Sequence, residues 1–282
     1  MELRVNSKRF GEISGRRLGA VTDRLDSGYS RLSSGDRNAR SGGHASGRGI
    51  GASVRARLRG MSAARGNIQH GLSMVKTASS GLGEIGESLG HMRGLALRAA
   101  TGTLSAEDRA LLDADFQAQR QGMDQVAAQT AFNGQRLLDG TAGTTEIQTG
   151  VDPGGSVSID LPDATSANLG DLQSQDLLTS DAASAALANI DNAIEALSAQ
   201  QGELGAAENR LHQAYSALAS RRMSLARADS HISDTDLATE ITLLMQERIA
   251  QKAAVSVMIQ ATVEPDRALE LLGISQMRRR GR

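Results

Sequence analysis

The chain has 282 residues, of which 39% are hydrophobic, only 2% are aromatic and none is Cys. A chain without Cys has no disulfides, no thiolate metal sites and no Cys nucleophile. Its apolar residues are mainly Leu, Ile, Val, Met and Ala, a composition that favours helix-on-helix packing over a globular core filled by aromatic rings. The longest apolar run, residues 253–259, is far shorter than the roughly 20 residues that span a bilayer.

Charge is distributed unevenly, although the net charge is only −1. Residues 1–70 contain 14 basic and 5 acidic residues, whereas residues 141–200 contain 9 acidic residues and no basic ones. Two kinds of protein would explain the basic region. One is an Arg-rich coiled-coil protein that binds nucleic acid, and the other is a polymer whose copies meet through charged faces. Because this region holds one Phe and one Tyr for stacking on bases, salt bridges in a polymer explain its charge better.

The first predicted element is a helix over residues 18–32, where apolar residues recur at intervals of three and four. These residues are Leu18, Val21, Leu25, Tyr29 and Leu32. The segment that follows, residues 41–51, is rich in Gly, so we expect either a loop or a weak helix held by its neighbours.

Two long heptad repeats dominate the rest of the chain and predict two long coiled-coil helices. The first repeat runs through Val54, Met61, Ile68, Val75, Leu82, Leu89 and Ala96. The second begins after Ser180-Asp181 and runs through Ile190, Leu197, Leu204, Leu211, Leu218, Leu225 and Ile232. Two matched helices far apart in sequence predict an antiparallel pair, and the expected fold is mainly α, an elongated rod with a small β-hairpin.

Shorter elements are predicted between and after these helices. A capping sequence at residues 105–108 begins a helix that ends at the turn residues 132–134. Alternation over 145–149 and 156–161 predicts the β-hairpin. A last amphipathic helix is expected before Pro265, and it carries Leu237, Ile241, Leu244, Val255 and Met258.

The sequence contains no convincing catalytic or metal site, and no cofactor is expected. Residues 86–90 match the G-x-S-x-G nucleophile pattern but lie within the first heptad helix, without the strand that this motif requires. The five His are scattered, so none pairs with another at metal-ligand spacing. Asp234 and Asp236 are interpreted as helix caps because they lie near a predicted helix start. The chain is predicted not to be an enzyme.

Several motifs resemble those of bacterial flagellin. On the N-terminal side they are RLSSG at 31–35, MRGLA at 92–96 and FNGQRLLDG at 132–140. On the C-terminal side they are NIDNAI at 189–194 and SHISDTDLATEITLLMQERI at 230–249. The resemblance implies a structural subunit that polymerises into the flagellar filament for motility. The flagellar hook–filament junction proteins share these terminal helices and provide the nearest alternative.

The flagellin resemblance also implies a layered domain organisation. The expected segments are an N-terminal inner coiled-coil segment (1–45), outer core helices (46–140), the hairpin and distal connection (141–180), the C-terminal long core helix (181–233), a C-terminal inner segment (234–273) and a basic tail (274–282). The variable outer domains of larger flagellins are missing. Leu18, Val21, Leu25 and Leu32 with the apolar residues of the last helix would line the inner polymerisation contacts.

The resemblance further implies partners and a location. The partners are other copies of the chain, the flagellar export apparatus and its chaperone, and the filament cap and junction proteins, with no nucleic acid and no membrane insertion. The N-terminus lacks the hydrophobic core of a cleavable signal peptide, so we expect export unfolded by the flagellar route and an extracellular location in the filament.

Two further expectations concern particular residues. In flagellins that activate a vertebrate Toll-like receptor, the receptor contacts a stretch equivalent to residues 89–97, here with Leu89, His91, Arg93 and Leu95. Recognised flagellins typically carry Arg at the His91 position and Glu at the Gly94 position, so weak receptor activation is expected. The four Arg of the tail are expected either to be solvated or to form salt-sensitive contacts.

Overall fold

The computed structural model describes residues 2–39 and 45–271, with side chains described for 11–39 and 46–260. Within these ranges there are five α-helices: α1 (Glu2–Ser34), α2 (Ala45–Ala99), α3 (Ala106–Gln129), α4 (Ser180–Ser233) and α5 (Leu237–Leu271). The strands are β1 (Ala131–Phe132), β2 (Gln135–Arg136), β3 (Thr144–Gln148) and β4 (Ser156–Asp160). The mainly α prediction is confirmed. The basic tail lies outside the described residues.

The packing divides the chain into two units, each crossed by parts of α2 and α4. Unit 1 contains residues up to Arg55 and from Leu225 onward, and unit 2 contains Ala56–Ser224. The divisions therefore fall inside two continuous helices, whereas the sequence placed its boundaries at 45/46 and 233/234. Each unit has a pair of helices of its own, described in turn below.

In unit 2, α2 and α4 run antiparallel, as their contacts demonstrate. Gly71 lies against Leu211 and Gly86 against Leu197, and Arg93 pairs with Asp191, so the α4 number falls as the α2 number rises. The heptad residues lie in this contact because a repeat of seven keeps one apolar face toward the partner helix. Those in unit 2 that are buried are Met61, Ile68, Val75, Leu82, Leu89, Ile190, Leu197, Leu204, Leu211 and Leu218, and Val54 of unit 1 is buried as well. Leu225 and Ile232 are half-buried.

Helix α3 begins at the predicted cap and ends close to the predicted turn. The Ser105 side chain accepts a hydrogen bond from the backbone N–H of Asp108, and the Asp108 carboxylate accepts from the backbone N–H of Ser105. After α3, Asn133 and Gly134 have φ values of 52° and 82°, which allows a two-residue hairpin turn between β1 and β2. The sequence predicted this turn but not its two-residue strands.

The second hairpin, β3–β4, packs on α2 where that helix has Gly. A Cβ on Gly60 would lie 2.9 Å from Val151 Cγ1, and one on Gly71 would lie 3.1 Å from Ile147 Cγ1. The two glycines therefore allow a closer approach than any side chain would permit. The hairpin was predicted from its alternating pattern, and its strands pair antiparallel.

The segment between β4 and α4 is fixed to α3 by a stripe of polar side chains. The Asp124 carboxylate accepts from the backbone N–H and hydroxyl of Ser166, at 2.7 Å each, and Asp113 accepts from the backbone N–H of Leu177 at 2.9 Å. Between them, Gln117 and Arg120 donate to backbone carbonyls of the segment. These hydrogen bonds hold a mostly irregular backbone, which includes a short 3-10 helix at Leu172–Ser174, against α3.

Unit 1 contains the antiparallel pair α1 and α5. Arg24 pairs with Glu247 and Arg31 with Glu240. The α5 number therefore falls by seven as the α1 number rises by seven, as in an antiparallel pair. Helix α5 extends to Leu271, and the prediction that it lies before Pro265 was wrong in this respect. A proline removes only its own N–H donor and disturbs the preceding turn, so a helix can continue past it when its other hydrogen bonds hold.

Candidate assembly surfaces

The buried side of the α1–α5 pair is a small apolar cluster in the middle of the two helices. Val21, Leu25 and Leu244 are 7%, 4% and 8% exposed, and Leu32 packs against them while remaining half-buried. A Cβ on Gly28 would lie 2.6 Å from Leu244 Cδ2, so Gly at this position lets the two helices approach closely. This cluster gives the pair a defined register but little buried area.

An ion pair beside this cluster adds specificity to the register. Arg31 donates from Nε and from an Nη2 to the same Glu240 oxygen, at 3.0 and 2.6 Å, and the Glu240 side chain is only 9% exposed. About two helical turns further along, the Arg24–Glu247 pair has exposed fractions of 58% and 26%. The two pairs therefore join the same helices in very different environments.

We expect Arg31→Ala to destabilise unit 1 by about 2 kcal/mol, because it leaves the Glu240 carboxylate buried without a partner. Arg24→Ala removes the exposed pair on the same helices and should cost less than about 1 kcal/mol. Urea unfolding followed by far-UV circular dichroism, with amide exchange on α5, measures both changes. Equal losses for the two variants would contradict the role assigned to Glu240 burial.

Helix α5 carries a second apolar side that is not covered by α1. Leu237, Ile241, Met245 and Ile249 follow one another at four-residue intervals and are 53%, 46%, 54% and 69% exposed. Residues at this spacing lie above one another on one helix face. We call these four residues the α5 stripe. An apolar row of this length on the surface of a soluble helix marks an interaction surface.

The exposed apolar surface of unit 1 continues toward the C-terminal part of α5. Leu18 of α1, with Val255, Met258 and Ile259 of α5, lines a shallow groove whose walls are almost wholly apolar. Val255 and Met258 are 40% and 38% exposed. The sequence named Leu237 and Ile241 as inner contacts but missed Met245 and Ile249, which the four-residue spacing would have revealed.

The turns that precede α5 and follow α1 are fastened to each other. The backbone N–H of Arg37 donates to Ser233 O at 2.7 Å, and that of Thr235 donates to Gly35 O at 2.9 Å. Gly35 has a φ of 69°, which favours Gly at this helix end. The Asn38 side chain donates to Ile232 O at 3.2 Å. These bonds fix the end of α1 relative to the start of α5.

Asp236 caps α5, as the sequence predicted. Its carboxylate accepts from the Thr239 hydroxyl at 2.9 Å and from the backbone N–H groups of Ala238 and Thr239 at 3.0 and 3.3 Å. The hydrogen bond from the Thr239 hydroxyl has the largest effect and the backbone bonds add to it, so the pKa of Asp236 is held below its ordinary value. The charged form is thus the form that the folded helix end favours.

A lowered pKa in the folded state means a contribution to stability that is present above the ordinary carboxyl pKa and lost as pH falls through the folded value. We therefore expect the first turn of α5 to loosen on acidification from about pH 5 to about pH 2. Asp236→Asn keeps a hydrogen-bond acceptor that does not titrate. The protection of the α5 amides against exchange should therefore depend less on pH in this variant. An identical pH profile in the variant would contradict this assignment.

Residues of the receptor stretch differ in accessibility. Leu89 is fully buried and Leu95 is 7% exposed, whereas His91 and Gly94 are on the surface. Arg93 is also exposed, and its Nε donates to the Asp191 carboxylate at 2.6 Å. This bond raises the pKa of Arg93 and lowers that of Asp191. Only part of the predicted stretch can therefore be touched from solvent.

The G-x-S-x-G motif has no catalytic geometry. Ser88 lies inside α2, and its hydroxyl donates to Glu84 O within the same helix at 3.1 Å. Across the described ranges, no group of three or more His, Cys, Asp or Glu side chains is placed to hold a metal ion. None of the helices, as far as they are described, combines the length and apolarity needed to cross a membrane.

Long paired helices and an exposed apolar row on α5 are typical of a structural subunit that associates through helix faces. The model of the bacterial flagellin N-terminal helical region matches residues 14–143, and that of the C-terminal helical region matches residues 187–272. A flagellin of Halalkalibacterium halodurans is 32% identical over 258 residues, covering 91% of this chain and 95% of that protein. The chain therefore belongs to the bacterial flagellin family.

Further comparisons agree with this assignment. The flagellar filament 30.7 kDa core protein of Treponema maltophilum is 28% identical, with 95% of this chain and 99% of that protein covered. The crystal structure of Bacillus cereus flagellin is similar with a TM-score of 0.51 and 28% identity, covering 58% of this chain and 94% of that one. The chain is a structural subunit of the extracellular flagellar filament and not an enzyme. The junction-protein and nucleic-acid alternatives are not favoured.

Proposed function

We propose that the chain polymerises through unit 1, with the α5 stripe and the Leu18 groove buried by neighbouring copies. The observation that carries this proposal is the stripe itself, four large aliphatic side chains in a row that the single chain leaves in water. Burying each of them would contribute roughly 1–2 kcal/mol, since each is already about half covered. Contacts of this kind repeated along a polymer supply the free energy of assembly.

In this proposal the segments 1–45 and 234–273 form the inner layer of the filament, and 46–233 form the outer layer. The chain is exported unfolded by the flagellar export apparatus with its chaperone, and is added at the tip beneath the filament cap, with junction proteins below. Export of a tagged chain in a flagellated host, compared with a host that lacks the export apparatus, tests this part.

Seeded polymerisation of the purified chain tests the assembly proposal. Ile241→Ser with Ile249→Ser removes apolar surface from the α5 stripe without touching the α1–α5 core. We expect this variant to remain monomeric. Leu243→Ser, which changes a side chain of similar exposure on α5 outside the stripe, is the matched control and should polymerise normally. Filaments from the stripe variant, with the monomer fold intact by circular dichroism, would overturn the proposal.

Receptor recognition is a second candidate function and involves a different surface, residues 89–97 of α2. In this proposal the chain activates the vertebrate Toll-like receptor poorly, because His91 and Gly94 occupy positions where recognised flagellins carry Arg and Glu. A Cβ on Gly94 would meet no atom within 4 Å, so a longer side chain fits there without rearrangement. The surface at position 94 therefore has room for the charged side chain that this chain lacks.

We expect His91→Arg with Gly94→Glu to increase receptor activation at least tenfold, since a charged contact at an interface is worth about 2 kcal/mol or more. A reporter-cell assay on the monomer measures the response. A strong response from the unmodified chain, equal to that of a recognised flagellin, would contradict the expectation, as would a variant no better than the parent.

A further inference from the structure

One end of unit 2, here called the distal end, is formed where α2 stops and α3 and α4 begin. Three hydrogen bonds draw these segments together. Arg109 Nε donates to Ala99 O at 3.0 Å, the Ser180 hydroxyl donates to Ala100 O at 2.8 Å, and the backbone N–H of Leu177 donates to the Asp113 carboxylate at 2.9 Å. Side chains on all three segments therefore share this end.

The distal end exposes three leucines, one on each segment. Leu97, Leu111 and Leu178 are 56%, 69% and 51% exposed. These large aliphatic side chains are exposed to water at one place. A partner that covers them lowers the free energy of the system.

Exposed carboxylates surround these leucines. Glu107, Asp115, Asp176 and Asp181 are all on the surface, and the described side chains include no ion-pair partner for any of them. Two cations lie nearby, and both donate to backbone carbonyls at the end of α2: Arg98 to Gly94 O, and Arg109 to Ala99 O and Thr101 O. An apolar centre with a charged rim is the usual arrangement of a protein interface, and here the rim is negative.

The opposite charge lies at the other end of unit 2. Residues 56–83 of α2 contain four Arg or Lys and no acidic residue, and residues 209–224 of α4 contain three Arg and no acidic residue. The antiparallel register brings Arg57 and Arg59 to the level of Arg221 and Arg222. We call these four residues the arginine segment.

All four side chains of the arginine segment are exposed, and none has an ion-pair partner in the part of the chain that is described. Like charges gathered in this way repel one another in the single chain. A surface of opposite charge relieves that repulsion. The acidic distal end of a second copy supplies such a surface, and the leucines give it an apolar centre.

Resting on the filament function, we propose that the distal end of one copy docks on the arginine segment of the next copy. The contact joins two different surfaces, so it is heterologous and propagates into an open polymer and not a closed dimer. It adds a charge-dependent contact in unit 2 to the apolar contacts of unit 1. A nucleic acid would neutralise the arginine segment but would leave the acidic rim and its leucines uncovered.

Charge reversal tests the proposal on the full chain. Arg59→Glu with Arg222→Glu reverses the arginine segment, and Glu107→Arg with Asp115→Arg reverses the distal end. Each pair of changes should raise the critical concentration for seeded polymerisation about tenfold at low salt, because like charges then face each other across the contact. The difference should shrink in about 1 M NaCl, where the Debye length is only about 3 Å.

The decisive result comes from combining the changes. The four-site variant has both surfaces exchanged in sign, so it should polymerise again near the critical concentration of the unmodified chain. Glu84→Arg with Glu203→Arg shifts the net charge as much as the distal-end variant but elsewhere on α2 and α4, and it should polymerise normally. Unchanged polymerisation of the two-site variants, or no recovery in the four-site variant, would overturn the proposal. Failure of the unmodified chain to polymerise would instead contradict the filament function.

Discussion

Leu89→Ala is expected to destabilise unit 2 by about 3–4 kcal/mol. The Leu89 side chain is completely buried between α2 and α4, so truncation removes its transfer free energy and leaves a cavity that long paired helices fill poorly. Residues beside it in the contact, such as Ile85 and Met92, are also fully buried and have no free space to move into. Urea unfolding of the monomer followed by circular dichroism measures the loss.

Leu97→Ala provides the matched control, since it changes the same residue type on the same helix. Leu97 is 56% exposed, so its truncation should alter the free energy of unfolding by no more than about 0.5 kcal/mol. A loss at Leu97 as large as that at Leu89 would contradict the α2–α4 packing. Leu89→Ala should also weaken receptor activation only through the fold, because the side chain does not reach solvent.

Gly170→Ala should cost about 3 kcal/mol, although it adds only one methyl group. Gly170 has a φ of 71°, and a Cβ there would lie 2.5 Å from the backbone oxygen of Asn189 and 3.2 Å from the Ala193 Cβ. An L-residue at this φ costs roughly 1–2 kcal/mol, and the clash adds a comparable amount because α4 backbone cannot move aside. The segment before α4 would be displaced from the helix.

Gly154→Ala separates the two contributions. Gly154 has a φ of 89° in the β3–β4 turn, but a Cβ there would meet nothing within 4 Å. Its replacement should therefore cost only the conformational penalty, roughly 1–2 kcal/mol. Thermal unfolding of both variants gives the comparison. Equal costs would mean that the close approach of Gly170 to α4 contributes nothing to stability.

Much of the fold is predictable from the sequence because its main feature is local and periodic. Apolar residues that recur every seven positions require a helix with a partner, so α2 and α4 follow from spacing. Their antiparallel pairing was predicted because the two repeats match and lie far apart in sequence. The Ser105 cap, the β3–β4 hairpin and the Asp236 cap follow from short motifs whose hydrogen bonds are made within a few residues. The same locality made the flagellin motifs recognisable.

Tertiary structure alone decided which side chains the single chain covers and which it leaves exposed. Leu244 and Ile241 belong to the same predicted apolar set, yet Leu244 is 8% exposed and Ile241 is 46% exposed, because α1 covers only one side of α5. The burial of Glu240 likewise depends on Arg31, 209 residues away in sequence, and on the small size of Gly28. Such contacts bring together distant residues whose pairing no periodicity encodes. The sequence by itself therefore determined the helices and the family, and packing decided which of their faces are free for assembly.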